Sequence, residues 1–189
     1  MTLDLSRATD VARPVWIDEA AAAGGPPAVL RTAEPDDAPG IFALVATHRE
    51  EGHLLPRTLA DITSRAPRFV VAERDGVIVG CAELAPLGAG LAEIRSLVVD
   101  DEERGAGLGR GLIGELWRRG QRAGFDRLCA FTHQPAYFLR MGFSIVPHIW
   151  LSAKVLADCV HCPLFRTCGQ YAVLAAIDPT AAVPPVARA

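Results

Sequence analysis

The sequence predicts a single α/β (α+β) domain over residues 28–177, a sheet flanked by helices. Three observations carry that expectation. Short β-rich runs alternate with segments of helical apolar spacing. An Asp-Gly pair joins two of those runs, and a glycine-rich turn, Arg104-Gly105-Ala106-Gly107-Leu108-Gly109, separates an apolar run from a long amphipathic segment.

The chain begins with residues 1–27, where Ala20 to Ala23 lead into Gly24-Gly25-Pro26-Pro27 and read as a flexible N-terminal extension. Val29 to Ala33 predicts a first strand. Glu34-Pro35-Asp36-Asp37 then supplies a turn and acidic residues for the start of a helix that buries one face through Ile41, Phe42, Leu44 and Val45. Pro56 is read as the first residue of a second, short helix continued by Leu59 and Ile62, which puts Arg57 near a helix start. Phe69 to Ala72 and Val77 to Leu84 form a hairpin about Asp75-Gly76. Ala92 to Val99 is the next strand, its alternation giving one face to Glu93, Arg95 and Leu97 and the other to Ile94, Ser96 and Val98.

After the glycine turn, Leu108, Leu112, Ile113, Leu116 and Trp117 recur at helical spacing up to about Ala123, where Gly124 ends the helix. Arg127 to Thr132 reads as a strand, Pro135 to Arg140 as a short helix, Gly142 to Ile145 and Tyr171 to Ile177 as β structure. Residues 178–189 read as a disordered tail.

Composition sets the outer bounds. The 189 residues are half hydrophobic and 22% charged, with a formal charge of −3 that gives no broad attraction to nucleic acid or an anionic membrane. No apolar run reaches the roughly 20 residues that span a bilayer, and Met1 to Asp10 carry no apolar core of signal-peptide length. The expectation is a cytoplasmic protein with a small-molecule partner and neither nucleic acid nor membrane. Oligomeric state stays open, a homodimer included.

Three glycines at alternate positions free the backbone for positive φ and close approach, and the helix that follows turns unpaired N–H groups toward the same point. This is an anion cradle. A dinucleotide fingerprint needs G-x-G-x-x-G, but positions 110 and 112 are Arg and Leu; a phosphate loop ending in Gly-Lys-Ser/Thr is absent. What remains is Arg-x-x-Gly-x-Gly.

That loop, preceded by Glu93-Ile94-Arg95-Ser96-Leu97-Val98-Val99 and followed by Gly142-Phe143, resembles the GNAT superfamily of acetyl-coenzyme A-dependent N-acetyltransferases. The resemblance implies a central mixed, mostly antiparallel sheet. It also implies that the backbone of Leu97, Val98 and Val99 pairs with pantetheine, and that Arg104, Gly105, Ala106, Gly107, Leu108, Gly109 and Arg110 cradle the pyrophosphate of acetyl-CoA. Leu54-Leu55-Pro56-Arg57, Gly80-Cys81-Ala82-Glu83-Leu84 and Lys154-Val155-Leu156-Ala157-Asp158-Cys159 with Cys162-Pro163 are similar to segments of short, kinase-free N-acetylglutamate synthases, although Leu156 stands where Trp is usual. Within that likeness the expected reaction is acetylation of an amino-acid α-amine, that of L-glutamate, for arginine biosynthesis. Alternatives are an acetyltransferase for another small amine or a protein N-terminus, and a non-catalytic acyl-CoA sensor.

An α-amine is partly neutral near its pKa of about 7.7–8.0, so a modest base suffices. Glu93 is the candidate base, with an ion pair to Arg95 as its other reading, and Glu83 is the alternate. A strand N–H near Val98 would meet the oxyanion. Tyr137 is the available phenol for a general acid; many of the superfamily carry Tyr one position later, where this chain has Phe138, so packing is its other reading and water a replacement. Two acceptor carboxylates need cationic partners, for which Arg57, Arg95 and Lys154 are the candidates. His133, in Thr132-His133, falls where longer synthases carry Thr-Arg and is included with them. Cys159, His161, Cys162 and Cys168 form a cluster with C-x-x-C spacing that could bind zinc with Cys81, Cys129 or His161 completing four ligands, but a second Cys-x-x-Cys is missing. Reduced thiols and a chemistry without metal are expected.

Overall fold

The computed structural model describes residues 27–49, 57–88 and 90–177, together with the backbone of Val15–Trp16. The expected extension over most of residues 1–27, Leu54 to Pro56 and the expected tail over 178–189 lie outside the described residues. In chain order the strands are β1 (Val15–Trp16), β2 (Val29–Thr32), β3 (Phe69–Arg74), β4 (Val77–Gly88), β5 (Leu91–Val99), β6 (Arg127–Thr132), β7 (Ser144–Val146) and β8 (Tyr171–Ala176). The helices are α1 (Ala38–Arg49), α2 (Leu59–Arg65), α3 (Leu108–Ala123), α4 (Pro135–Leu139) and α5 (Ser152–Ala157). The strands form one open sheet in the order β1-β2-β3-β4-β5-β6-β8-β7, in which β5–β6 is parallel and every other pair antiparallel. The mixed, mostly antiparallel sheet is therefore as expected.

Local chemistry explains the turns and ends. Asp75 and Gly76 both adopt positive φ, 51° and 78°, so the β3–β4 connection is the two-residue turn whose twist matches paired strands. Thr58 caps α2 by accepting from the Asp61 N–H at 3.1 Å, while Asp61 reaches back to Thr58. Gly124, at φ 80°, closes α3.

Both faces of the sheet are covered. Leu108, Leu112, Leu116 and Trp117 of α3 pack on Val70, Ala82, Leu84, Ile94 and Leu128. On the other face Ile41, Leu44 and Val45 of α1 and Ile62 of α2 pack on Val71, Cys81 and Val98. Each such aliphatic side chain contributes about 1.5–3 kcal/mol. A third cluster, Leu91, Cys129, Val146, Leu151 and Ala172, lies under the segment that carries α5. The helix α3 also buries a charge. Arg119 is paired with Glu115 at 3.4 Å and donates to the Thr32 hydroxyl at 2.8 Å and the Phe69 carbonyl at 3.2 Å, so the guanidinium that α3 takes out of water is fully partnered by β2 and β3.

Three expectations are corrected: Phe42 of α1 is 38% exposed and lies off the buried face, α2 begins at Leu59 after its Thr58 cap, later than the expected start at Pro56, and β5 does not alternate throughout. Strict alternation along β5 fails at Ser96, which adopts φ 48°, and the β4–β5 register slips there, from Cys81 opposite Val98 to Glu83 opposite Arg95. This β-bulge inserts an extra residue. Leu97 and Val99 consequently pack on the α3 side with Ile94, and Val98 moves to the α1 side with Cys81. Glu93 and Arg95 still share a face, before the slip.

The two core thiols sit beside carboxylates. Burial first, then Glu83 for Cys81 and Glu93 for Cys129, pushes each thiol up to about 12 from 9.0. Each stays protonated in the fold while the unfolded chain ionises near 9.0, so their contribution is complete below pH 9 and is lost as pH climbs toward 12. Stability measured in urea should fall from pH 9 upward by about 1.4 kcal/mol per pH unit for each thiol. Replacing Cys81 and Cys129 by Ala should flatten that slope; an equal slope in wild type and variant would contradict the assignment.

Candidate active site

The bulge at Ser96 turns β5 away from β6. Their parallel ladder runs through Leu91–Arg127, Ala92–Leu128 and Glu93–Cys129 and stops there, although both strands continue. Beyond Glu93 the two strands diverge, leaving one edge of β5 without a neighbouring strand among the described residues and opening a cavity of about 790 Å³ between Arg95–Val99 and Ala130–Gln134. Such an edge offers N–H and C=O groups to an extended ligand, as it would to another strand.

The glycine turn forms one end of this cavity. Gly105 and Gly107 take φ 86° and 78°, conformations that glycine alone adopts without strain. Gly107 caps α3, so the first N–H groups of the helix, those of Leu108 and Gly109, point out of the helix start. A methyl added at Gly105 would meet nothing within 4 Å, whereas one at Gly109 would lie 2.5 Å from the Tyr137 hydroxyl. The open side at Gly105 leaves room for a phosphate; the closed side at Gly109 seats Tyr137 against the helix start. Arg104 is tethered at 2.6 Å to Asp101, whose same oxygen meets His48 Nε2 at 3.2 Å.

The other end is a cluster of charges. Lys154 Nζ lies 2.8 Å from Glu93 and 2.7 Å from Asp158; Arg95 contacts Glu93 through Nε and Asp158 at 2.8 Å through a terminal nitrogen. These four residues close a ring. Arg57 stands 3.8 Å from Glu83, whose carboxylate is 1% exposed and keeps Oε1 without a hydrogen-bond partner. Three cations and three carboxylates therefore balance. Burial works against the ionised Asp158, but the hydrogen bond and charge of Lys154, with Arg95 and Arg57, hold its carboxyl below the usual range. For Arg95 burial is likewise outweighed, first by Glu93, so the guanidinium is held charged more firmly than usual.

The residues singled out from the sequence converge. Glu93, Arg95, Leu97, Val98, Val99, Arg104, Gly105, Gly107, Leu108, Gly109, Arg110, His133, Tyr137, Arg57 and Lys154 all line the cavity. Ala106 is the exception, its methyl packed against the α3 core. Burial pushes the Tyr137 phenol up, so it is a donor at neutral pH, and Phe138 packs edge-on against Phe143 in the core. His133 is exposed and lies beside Gly169. Sequence reasoning gave no role to Asp158, His48 or Gln170. A Lys four residues before an Asp on one helix was the available signal for Asp158; His48 and Gln170 had none, because they reach the cavity from distant elements.

The cysteine segment follows α5 as two short 3₁₀ turns, Cys159–His161 and Phe165–Thr167. Cys159, Cys162 and Cys168 are free thiols, and Cys81 and Cys129 are buried in the core clusters. Among the described residues no three His, Cys, Asp or Glu side chains are grouped to hold a metal ion. Nor, among them, is any helix long and apolar enough to cross a membrane.

Residues 36–143 match the acetyltransferase (GNAT) family. An uncharacterized N-acetyltransferase of Chlorobaculum tepidum is 30% identical over 145 residues, 77% of this chain and 94% of that protein. The amino-acid acetyltransferase of Mycobacterium tuberculosis is 31% identical, over 69% of this chain and 76% of its own. The Ralstonia nicotianae amino-acid acetyltransferase is 34% identical over 60% of this chain, which spans only about a quarter of it, 26%. Among solved structures, Mycobacterium tuberculosis Rv2747 in complex with CoA superposes with a TM-score of 0.69 at 25% identity, covering 79% of this chain and 99% of that one. N-acetylglutamate synthase of Neisseria gonorrhoeae, complexed with coenzyme A and N-acetyl-glutamate, shares the fold at TM-score 0.70 and 22% identity, over 80% of this chain and 35% of that one.

The contact between Gly109 and Tyr137 yields a paired test. Gly109→Ala should weaken coenzyme A binding by roughly tenfold, about 1.4 kcal/mol, because the new methyl must displace the phenol from the helix start. Adding Tyr137→Ala should recover part of the loss in a calorimetric titration. No recovery in the double variant would show that the phenol is not what the methyl meets.

Proposed function

The chain belongs to the GNAT acetyltransferase family, and as an acetyl-CoA-dependent member of it, we propose, it acetylates the α-amine of L-glutamate, as in the first step of arginine biosynthesis. The observation that carries this reading is a single cavity with an anion cradle at one end and Arg57, Arg95 and Lys154 at the other. A dicarboxylate with an α-amine suits the second end, because guanidinium and ammonium groups bind carboxylates through charge-assisted hydrogen bonds. The relatives named as amino-acid acetyltransferases support the acceptor class.

In this reading the amides of Gly105 to Arg110 hold the pyrophosphate and the free edge of Leu97 to Val99 pairs with pantetheine, with Arg104 at the rim. Bound acetyl-CoA supplies the thioester. Arg57 takes one acceptor carboxylate, bidentate, since its pairing with Glu83 at 3.8 Å is long. Arg95 and Lys154 take the second, sharing it with Asp158, and His133 lies at the mouth. Glu93 faces the cavity and receives the ammonium proton, through water because both its oxygens are already engaged by cations. The N–H near Val98 stabilises the oxyanion, and the Tyr137 hydroxyl, protonated at neutral pH, returns a proton to the departing thiolate.

A second reading of the base is favoured by one observation: Glu83 keeps an unpartnered buried oxygen, while Glu93 keeps none. The two variants separate the roles. If Glu93 is the base, Glu93→Gln should lower kcat by roughly 10²–10⁴-fold, while Glu83→Gln leaves kcat nearly unchanged. The reverse pattern would move the role to Glu83.

Thiol release from acetyl-CoA across a panel of amino acids tests the acceptor. Glutamate should turn over fastest, and Arg57→Ala should raise its KM by about ten- to a hundredfold, the equivalent of 1.5–3 kcal/mol for a hydrogen bond to a charged group, with the acetyl-CoA KM unchanged. Turnover of another amine but not glutamate would remove the substrate assignment and leave the family chemistry intact.

A further inference from the structure

The C-terminal cover of the sheet presents an apolar surface that the reaction does not use. Between β7 and β8 the chain forms a 3₁₀ turn at His148–Leu151, then α5, then the two cysteine-bearing turns; consecutive members touch, and the first packs on β8. This layer turns Leu151 and Lys154 inward, to the third core cluster and to Glu93. Outward it shows Ile149, Trp150, Leu156, Val160, Leu164 and Phe165, with Ile149 79%, Leu156 70% and Trp150 66% exposed and the others about half. Elsewhere among the described residues such side chains are scattered singly on several elements, as at Phe42, Leu59 and Val77. Isolated cases need no explanation, but a run on one layer does.

We propose that this layer is the interface of a homodimer, a second copy of the chain packing its own layer against it. The area fits. Six large side chains exposing about 100 Å² each give roughly 600 Å² of apolar surface, above what monomers commonly leave open. With its polar surround it approaches the ~800 Å² per partner of a standard interface. Charge points the same way. Residues 145–170 carry only three formal charges, Lys154, Asp158 and Arg166, and the first two are consumed in the ring with Glu93 and Arg95, so Arg166 alone remains. A surface so poor in charge has no complement to offer a partner chosen by charge, but it is self-complementary about a two-fold axis, where apolar side chains of one copy meet apolar side chains of the other.

Sedimentation velocity of the full chain at low micromolar concentration should give a species of twice the 20.1 kDa chain mass. Trp150→Glu with Leu156→Glu should sediment as monomer while still binding coenzyme A. A wild-type chain that stays monomeric overturns the proposal, as does a doubly substituted chain that remains dimeric, or a monomer that pellets with phosphatidylcholine vesicles. Hydrogen exchange of the wild-type chain gives a check that needs no substitution. Amides of residues 149–165 should gain protection as protein concentration rises through the dimer range; protection independent of concentration also overturns it. These readouts do not depend on which amine is acetylated.

Discussion

The molecule depends on one irregularity, the extra residue at Ser96. A regular β5 would pair with β6 along its whole length and the sheet would be continuous. With the bulge, the parallel ladder ends at Glu93–Cys129, and the strands separate over the stretch where the cavity lies. The positive φ of Ser96, a conformation disfavoured for a residue with a side chain, is held by cores on both faces, Ile94 and Leu97 toward α3 and Val98 toward α1. Strain at one residue is offset by packing at its neighbours, and the result is a cleft inside an otherwise ordinary sheet.

The second governing feature is electrostatic balance. Burying Glu83, Glu93 and Lys154 would be prohibitive singly, because an uncompensated buried charge costs several kcal/mol. As a set with Arg57, Arg95 and Asp158 they sum to zero, and the ring through Asp158 joins β5 to α5 across 63 residues of sequence. In the proposed reading, a second acceptor carboxylate has to share or displace an internal one, so acceptor choice would rest on how firmly Asp158 holds Arg95 and Lys154.

Features written into short stretches were readable from the sequence. Asp75-Gly76 specifies its hairpin because both residues tolerate positive φ, and the span of α3 from Leu108 to Gly124 follows from apolar spacing between two glycines. The glycine turn before α3 was legible for the same reason. Ser96 was not: neither glycine nor proline marks it, and its conformation is imposed by contacts from both faces. Nor was the pairing of Arg95 with Asp158, which no local pattern encodes, although Lys154 and Asp158 stand one helical turn apart. Arg57 was placed correctly beside a helix start, but its neighbour Glu83 became visible only with the β4–β5 register.

The cleft between β5 and β6 has a thermodynamic corollary. With no strand among the described residues beside Leu97 to Val99, the free domain is an unfinished sheet, and an extended ligand at that edge, as proposed above, would complete it. Completion is favourable only in the native chain, so the ligand raises folding free energy by mass action, by about 2.7 kcal/mol at a hundredfold excess over its dissociation constant. On the coenzyme site proposed above, the folded chain's resistance to unfolding and to proteolysis rises with the concentration of the acyl donor.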